Sequence, residues 1–251
     1  MHVARRSLFS FALAAMVAPA TVAALLAAPA RAAEGDEPHS AIKPVPRGEP
    51  WWQERHALIN DRLKQTDTQL VFVGDSITQG WEGGGKNVWE KFYGPRKAVN
   101  MGIGGDRTQH VLWRLDHGNF DLVKPKLAVV MIGTNNSNGN DNTAEEIGDG
   151  ITAIIKRLRE RQPQMKVLIL AVFPRGEKPN PQREKNAKAS EIASKLADGE
   201  MIHYLDIGGE FLEADGTLTR EMMPDLLHLN EKSYTIWAEA IEGKVKELMG
   251  E

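Results

Sequence analysis

Ser76 closes the stretch Val71-Phe72-Val73-Gly74-Asp75-Ser76, where a short apolar run stops on a glycine, a carboxylate and a hydroxyl. A serine held at the tip of a strand is either a helix cap or a nucleophile. As a nucleophile it needs a base, because a hydroxyl reacts poorly at neutral pH until its proton is taken. Seven histidines are available. His2 and His39 precede the apolar runs, His56, His110 and His117 fall on helical periodicities, and His203 alternates with apolar residues in a strand-like run. Solvated or packed imidazoles account for those. His228 differs, because it follows Asp225 in Met223-Pro224-Asp225-Leu226-Leu227-His228, and a three-residue separation in a turn-like wrap puts both side chains on one face. Asp225 can accept from Nδ1–H of His228 and leave Nε2 free to take the Ser76 proton. The plainer alternative is a local surface hydrogen bond.

Two further apolar runs end in turns of interest, Gly102-Ile103-Gly104-Gly105-Asp106 and Gly133-Thr134-Asn135-Asn136. With strand order 2-1-3 the three turns become neighbours. The N–H groups of Ser76 and Gly105 and the side-chain amide of Asn135 would then converge where a tetrahedral oxyanion forms during acyl transfer. Glycine allows close backbone approach, and a carboxamide donates independently of pH. Taken singly, each has a plainer reading. Ser76 or Asp75 could cap a helix, Gly104-Gly105 could be a tight turn, and Asn135 opens an Asn- and Gly-rich loop. Ile77, after the nucleophile, and Leu227, before the base, are candidates to wall a small acyl pocket, or else belong to the core. Trp81, Trp89 and Tyr93 could stack on a sugar ring or pack inside.

These residues need a scaffold that brings strand ends together. Apolar β-type runs at Leu70–Val73, Ala98–Met101, Leu127–Ile132, Val167–Phe173 and Ile202–Ile207 alternate with helical periodicities. The latter cover Trp51–Lys64, His110–Leu115, Ala144–Arg161, Gln182–Leu196 and Glu231–Leu248. Such alternation predicts an α/β fold with a doubly wound, five-stranded parallel sheet covered on both faces, and a ligand crevice beyond the carboxyl ends of its strands.

At 251 residues, with 41% hydrophobic and 26% charged residues, the chain suits one large domain. A net charge of -3 and the lack of basic blocks argue against nucleic acid as a partner. Without cysteine there is neither a disulfide nor a thiolate nucleophile or ligand. Arg5 and Arg6 precede an uncharged, alanine-rich stretch that ends in Ala30-Arg31-Ala32, which reads as an export signal over residues 1–32, and the Arg5-Arg6 pair resembles a twin-arginine signal. Export to periplasm or medium follows, with no stable membrane insertion expected. Residues 33–50, with four prolines, read as a linker, and the domain is expected over 51–251. Gly102-x-Gly104-Gly105 lacks the spacing of dinucleotide-binding turns and no Walker-type sequence appears, which leaves a nucleotide- or carbohydrate-binding module as the competing class.

Gly74-Asp75-Ser76, the glycine of Gly102–Asp106, Gly133-Thr134-Asn135 and Asp225-Leu226-Leu227-His228 together resemble the four blocks of the SGNH, or GDSL-type, esterases and acylhydrolases. Within that family "NMGIGGDRTQHVLWRL", "GTNN", "PRGEKPNPQREKNAK" and "DLLHLN" are similar to the catalytic alpha subunits of intracellular platelet-activating factor acetylhydrolase. The resemblance implies a flavodoxin-like three-layer sandwich, no metal or other cofactor, and hydrolysis of short acyl esters. By matched position Ser76 is the nucleophile, Asp225 and His228 the orienting pair, and Ser76, Gly105 and Asn135 the oxyanion donors. It also allows a homodimer. Those subunits are cytosolic and lack an export signal, whereas exported bacterial relatives commonly deacetylate sugars, so an acetylated carbohydrate or other small ester is the expected substrate. Because His228 must be neutral to act as base, activity is expected to rise with pH through the ordinary histidine range, about 6.5.

Overall fold

The computed structural model describes residues 1–2, 37–65, 67–118, 120 and 122–251. Contacts divide the chain into two units, 1–37 and 38–251. Apart from Met1 and His2, the expected signal lies outside the described residues. Among the described residues no helix is long and apolar enough to cross a membrane.

Five strands, β1 (Leu70–Gly74), β2 (Ala98–Gly102), β3 (Leu127–Met131), β4 (Lys166–Leu170) and β5 (Ile202–Leu205), form one parallel sheet in the order β2-β1-β3-β4-β5. Side chains alternate between two covered faces, so the runs read as continuously apolar. Val71 and Val73 face a layer that includes Trp52 and Ile59 of α1 (Pro50–Gln65), Val111 of α4 (Thr108–Asp116), Ile151 of α5 (Ala144–Arg161) and Ala189 of α6 (Pro181–Ser194). Leu70 and Phe72 face the other, built from Ile77 of α2 (Ser76–Gln79), Val88 of α3 (Lys86–Phe92) and Trp237 and Ile241 of α7 (Glu231–Met249). The result is the expected three-layer α/β/α sandwich.

Register brings the site together. Gly74 pairs with Gly102 on one side and Met131 on the other, so β1, β2 and β3 end level and their turns leave the sheet side by side. Helix ends are fixed by side chains. Thr143 and Glu146 form a reciprocal capping box on α5, Asn180 caps α6 with Pro181 in its first turn, and Asn230 with Ser233 opens α7 two residues after His228.

Three expectations shift. The apolar run through Phe173 leaves the ladder after Leu170, because the N–H of Val172 donates to Ser190 Oγ at 2.9 Å. Ile207 is buried beyond the end of β5. Most consequential, residues 38–49 are a strap on the domain and not a tether, since the compact unit begins at Pro38. Ala41 is fully buried, its carbonyl accepts from Thr108 Oγ1 at 2.7 Å, and Val45 N–H reaches Gln109 O at 3.3 Å. The strap makes one 3-10 turn at Ser40–Ile42 and is otherwise irregular, and the first turn of α4 satisfies polar groups that an isolated segment would leave to water.

Candidate active site

Asp75 takes the capping role at the tip of β1. Its Oδ1 accepts from Ile77 N–H at 3.0 Å and so caps the short helix α2, which leaves Ser76 at the first helical position with a hydroxyl that is not spent on capping. Tyr234 of α7 donates to Ile77 O at 2.6 Å, and Asn100 of β2 donates to Thr78 O at 2.9 Å, so α2 is latched from both sides. Close approach makes this possible. A Cβ at Gly102 would lie 2.2 Å from Gln79 N and within 2.8 Å of two further backbone atoms of the Asp75–Gln79 turn. Gln79 returns the contact by accepting from Gly104 N–H at 2.7 Å.

Ser76 Oγ lies 2.9 Å from His228 Nε2, and His228 Nδ1 lies 2.6 Å from Asp225 Oδ2. The other carboxylate oxygen, Oδ1, accepts from the backbone N–H of His228 at 2.7 Å and of Leu227 at 3.0 Å. Burial raises the Asp225 pKa, but the His228 ring, together with those backbone donors, outweighs it and holds the carboxyl below its usual range. An ionised Asp225 fixes the Nδ1–H tautomer and leaves the Nε2 lone pair toward Ser76. Between them Leu226 takes φ 62°, a left-handed conformation disfavoured for a leucine, with its carbonyl held by Gly176 N–H at 2.8 Å. The histidine and aspartate side chains are 44% and 56% exposed, so the site is shallow and open.

At Asp75 the balance runs the other way. It is fully buried, its Oδ2 has no partner among the described residues, and burial pushes its pKa up to about 7. The capping bond to Ile77 opposes that rise, and the Asp106 carboxylate adds to it.

The oxyanion candidates arrive on the neighbouring turns. Among the described residues the N–H groups of Ser76 and Gly105 have no acceptor. Asn135 spends one amide hydrogen on Asp106 O at 2.9 Å, which leaves the second to point elsewhere. Gly105 is exposed and adopts φ 74°, where a side chain would be strained. Ile77 is 1% exposed within the apolar layer under α7, and Leu227 packs partly buried against that layer. Trp81 and Tyr93 are fully buried in a core cluster with Phe72 and offer no platform for a sugar, while Trp89 packs against that cluster and is partly buried.

A buried ionic network behind the site escaped the sequence reading. Asp106 accepts from Trp52 Nε1 at 2.6 Å and Arg114 Nε at 2.9 Å, while Arg114 also donates to Met101 O at 2.9 Å and Gly74 O at 3.3 Å. Burial pushes the Asp106 carboxyl up and the Arg114 guanidinium down, and their mutual contact opposes both. The available signal was an arginine interrupting the otherwise apolar run 111–115.

Known proteins resemble this chain in sequence and in fold. Residues 72–236 match the GDSL-like Lipase/Acylhydrolase family. Bovine platelet-activating factor acetylhydrolase IB subunit alpha1 is 39% identical over 220 residues, covering 86% of this chain and 92% of that protein. Among solved structures, a putative acylhydrolase from Bacteroides fragilis superposes with TM-score 0.66 at 20% identity, covering 81% of this chain and all of the other. A carbohydrate acetylesterase from Sinorhizobium meliloti superposes with TM-score 0.56 at 20% identity, over 72% of this chain and 98% of the other. The chain is a carboxylic ester hydrolase and belongs to the GDSL-like lipase/acylhydrolase family.

Proposed function

We propose that the protein is a serine acetylesterase in which Ser76, His228 and Asp225 act as a triad. The observation that carries this is the continuous path Ser76 Oγ, His228 Nε2, His228 Nδ1, Asp225 Oδ2, with separations of 2.9 and 2.6 Å. His228 Nε2 takes the Ser76 proton as Oγ attacks the acyl carbon. The oxyanion is held by the N–H groups of Ser76 and Gly105 and the free hydrogen of the Asn135 amide. Collapse breaks the ester bond, and His228 returns the proton to the leaving alcohol. Water, deprotonated by His228, then attacks the acetyl carbon, and as the bond to Oγ breaks and acetate leaves, His228 returns that proton to Ser76.

Leu227, partly buried against the packed layer under α7, is the candidate wall for a short acyl group, since forcing extra methylenes into a packed region costs about 1–3 kcal/mol, whereas Ile77 is buried in the core. On the alcohol side the open, polar mouth around Asp225 and His228 suits acetylated carbohydrate. An export signal at residues 1–32 would give access to such substrates. A second reading, acetyl ester of a platelet-activating-factor-like lipid, is favoured by 39% identity to the bovine alpha1 subunit. Acetate release from acetylated sugars and acetylated glycerolipids, measured for the parent and Ser76→Ala, tests both. Sugar turnover lost in Ser76→Ala supports the first reading, lipid turnover alone supports the second, and unchanged activity in Ser76→Ala overturns the site.

A further inference from the structure

Arg47 lies in the strap that precedes α1, far in sequence from every catalytic candidate, yet it ends at the oxyanion turn. Its Nη1 donates to Gly104 O at 2.8 Å. That carbonyl belongs to the same peptide unit as the Gly105 N–H. In a trans peptide the two groups point opposite ways, so whatever holds the oxygen also aims the hydrogen.

We propose that Arg47 is the positioning residue of the oxyanion hole, acting through the Gly104–Gly105 peptide; the inference rests on Gly105 N–H being an oxyanion donor. The rest of the turn is held at its edges. Gly104 N–H donates to Gln79 Oε1 at 2.7 Å, Asp106 N–H donates to Ile103 O at 3.1 Å, and Asp106 O accepts from Asn135. The Gly104 carbonyl has Arg47 as its partner, and glycines on both sides give that peptide little resistance to rotation. With its carbonyl released, the unit can flip and take the Gly105 N–H out of the site.

Arg47 is itself fixed for this role. Nη2 donates to Glu49 Oε1 at 2.6 Å, the guanidinium lies 5.0 Å from the Trp51 ring centre, and the Arg47 carbonyl accepts from Gln53 Nε2 at 2.6 Å. The side chain is 18% exposed. A Cβ at residue 105 would meet Nη1 at 2.7 Å, so the left-handed glycine and the arginine fit one another. Asp106 Oδ1 lies 4.0 Å from Nη1, and with Glu49 it balances the cation. Orientation, more than charge, is therefore what Arg47 supplies. Two nitrogens in one rigid plane serve two partners, a fixed geometry that a single ammonium nitrogen does not impose.

The test compares the parent, Arg47→Gln, Arg47→Lys, Glu49→Gln and Ser76→Ala on p-nitrophenyl acetate, with active sites counted by phosphonate titration and folding followed by thermal denaturation. Complete loss of an oxyanion donor costs about 10²–10³ in kcat, so an unfixed donor in Arg47→Gln should cost about tenfold, with KM within about twofold. Arg47→Lys should fall between, and Glu49→Gln should move kcat the same way by less. Millimolar guanidinium should restore part of the Arg47→Gln rate. A kcat per titrated site within twofold of the parent in both arginine variants overturns the proposal, as does a loss confined to KM. Activity persisting in Ser76→Ala would instead overturn the triad reading, so the two failures are distinct. If Arg47→Gln does not fold, Arg47→Lys and Glu49→Gln decide.

Discussion

At the scale of single residues, the chemistry depends on which protons sit where. Asp225 is ionised at working pH because donors from His228 and Leu227 outweigh its burial. Asp225→Asn keeps the shape but lets the ring adopt the wrong tautomer, and kcat for acetyl ester hydrolysis should fall by about three to four orders of magnitude with little change in KM. Asp75 shows the opposite balance. With a folded pKa of about 7, raised mainly by burial, it keeps a proton that the unfolded chain releases near 4. Stability contributed through this group therefore declines as pH rises from about 4 to about 7 and is flat outside that window. Asparagine has no proton to lose. In denaturation midpoints recorded from pH 4 to 8, Asp75→Asn should gain on the parent as pH increases, and parallel curves would refute the assignment.

Elements turn these side chains into a site. Helix α2 sits on the ends of β1 and β2 because Gly102 lets backbone approach backbone, with no flexible side chain available to yield. Gly102→Ala should push α2 away, lowering the thermal midpoint and kcat together; a stable protein with parental kcat would show that the approach is dispensable. The element pattern was legible in the sequence, since β1 to β3 and α5 fall within a residue or two of where periodicity and turn residues put them. Their convergence was legible as well, because it follows from strand order. The strap was not, because a proline-rich run looks the same whether solvated or docked, and its partners lie at Gly104, Thr108 and Gln109. Nor could Trp81 and Tyr93 be placed by type, since an aromatic residue after a nucleophile can face either core or substrate.

Over the whole molecule, the Asp106–Arg114 pair joins α1, β1, β2 and α4 behind the oxyanion turn, with both side chains fully buried. Breaking a buried pair strands the remaining charge, so Asp106→Asn should destabilise the fold by about 3–5 kcal/mol in denaturant titration. A loss below about 1 kcal/mol would mean that water reaches Arg114. Such pairing is set by tertiary packing, which explains why the sequence showed only an arginine out of place. All of it serves one claim, that the Ser76 hydroxyl is the group His228 activates. Labelling the folded protein with a fluorophosphonate, and locating the adduct by peptide mass spectrometry, tests that claim directly. One phosphonyl group on Ser76, formed in step with the loss of esterase activity and absent from Ser76→Ala and His228→Ala, is the predicted result. Full inactivation with the adduct on another residue would contradict it.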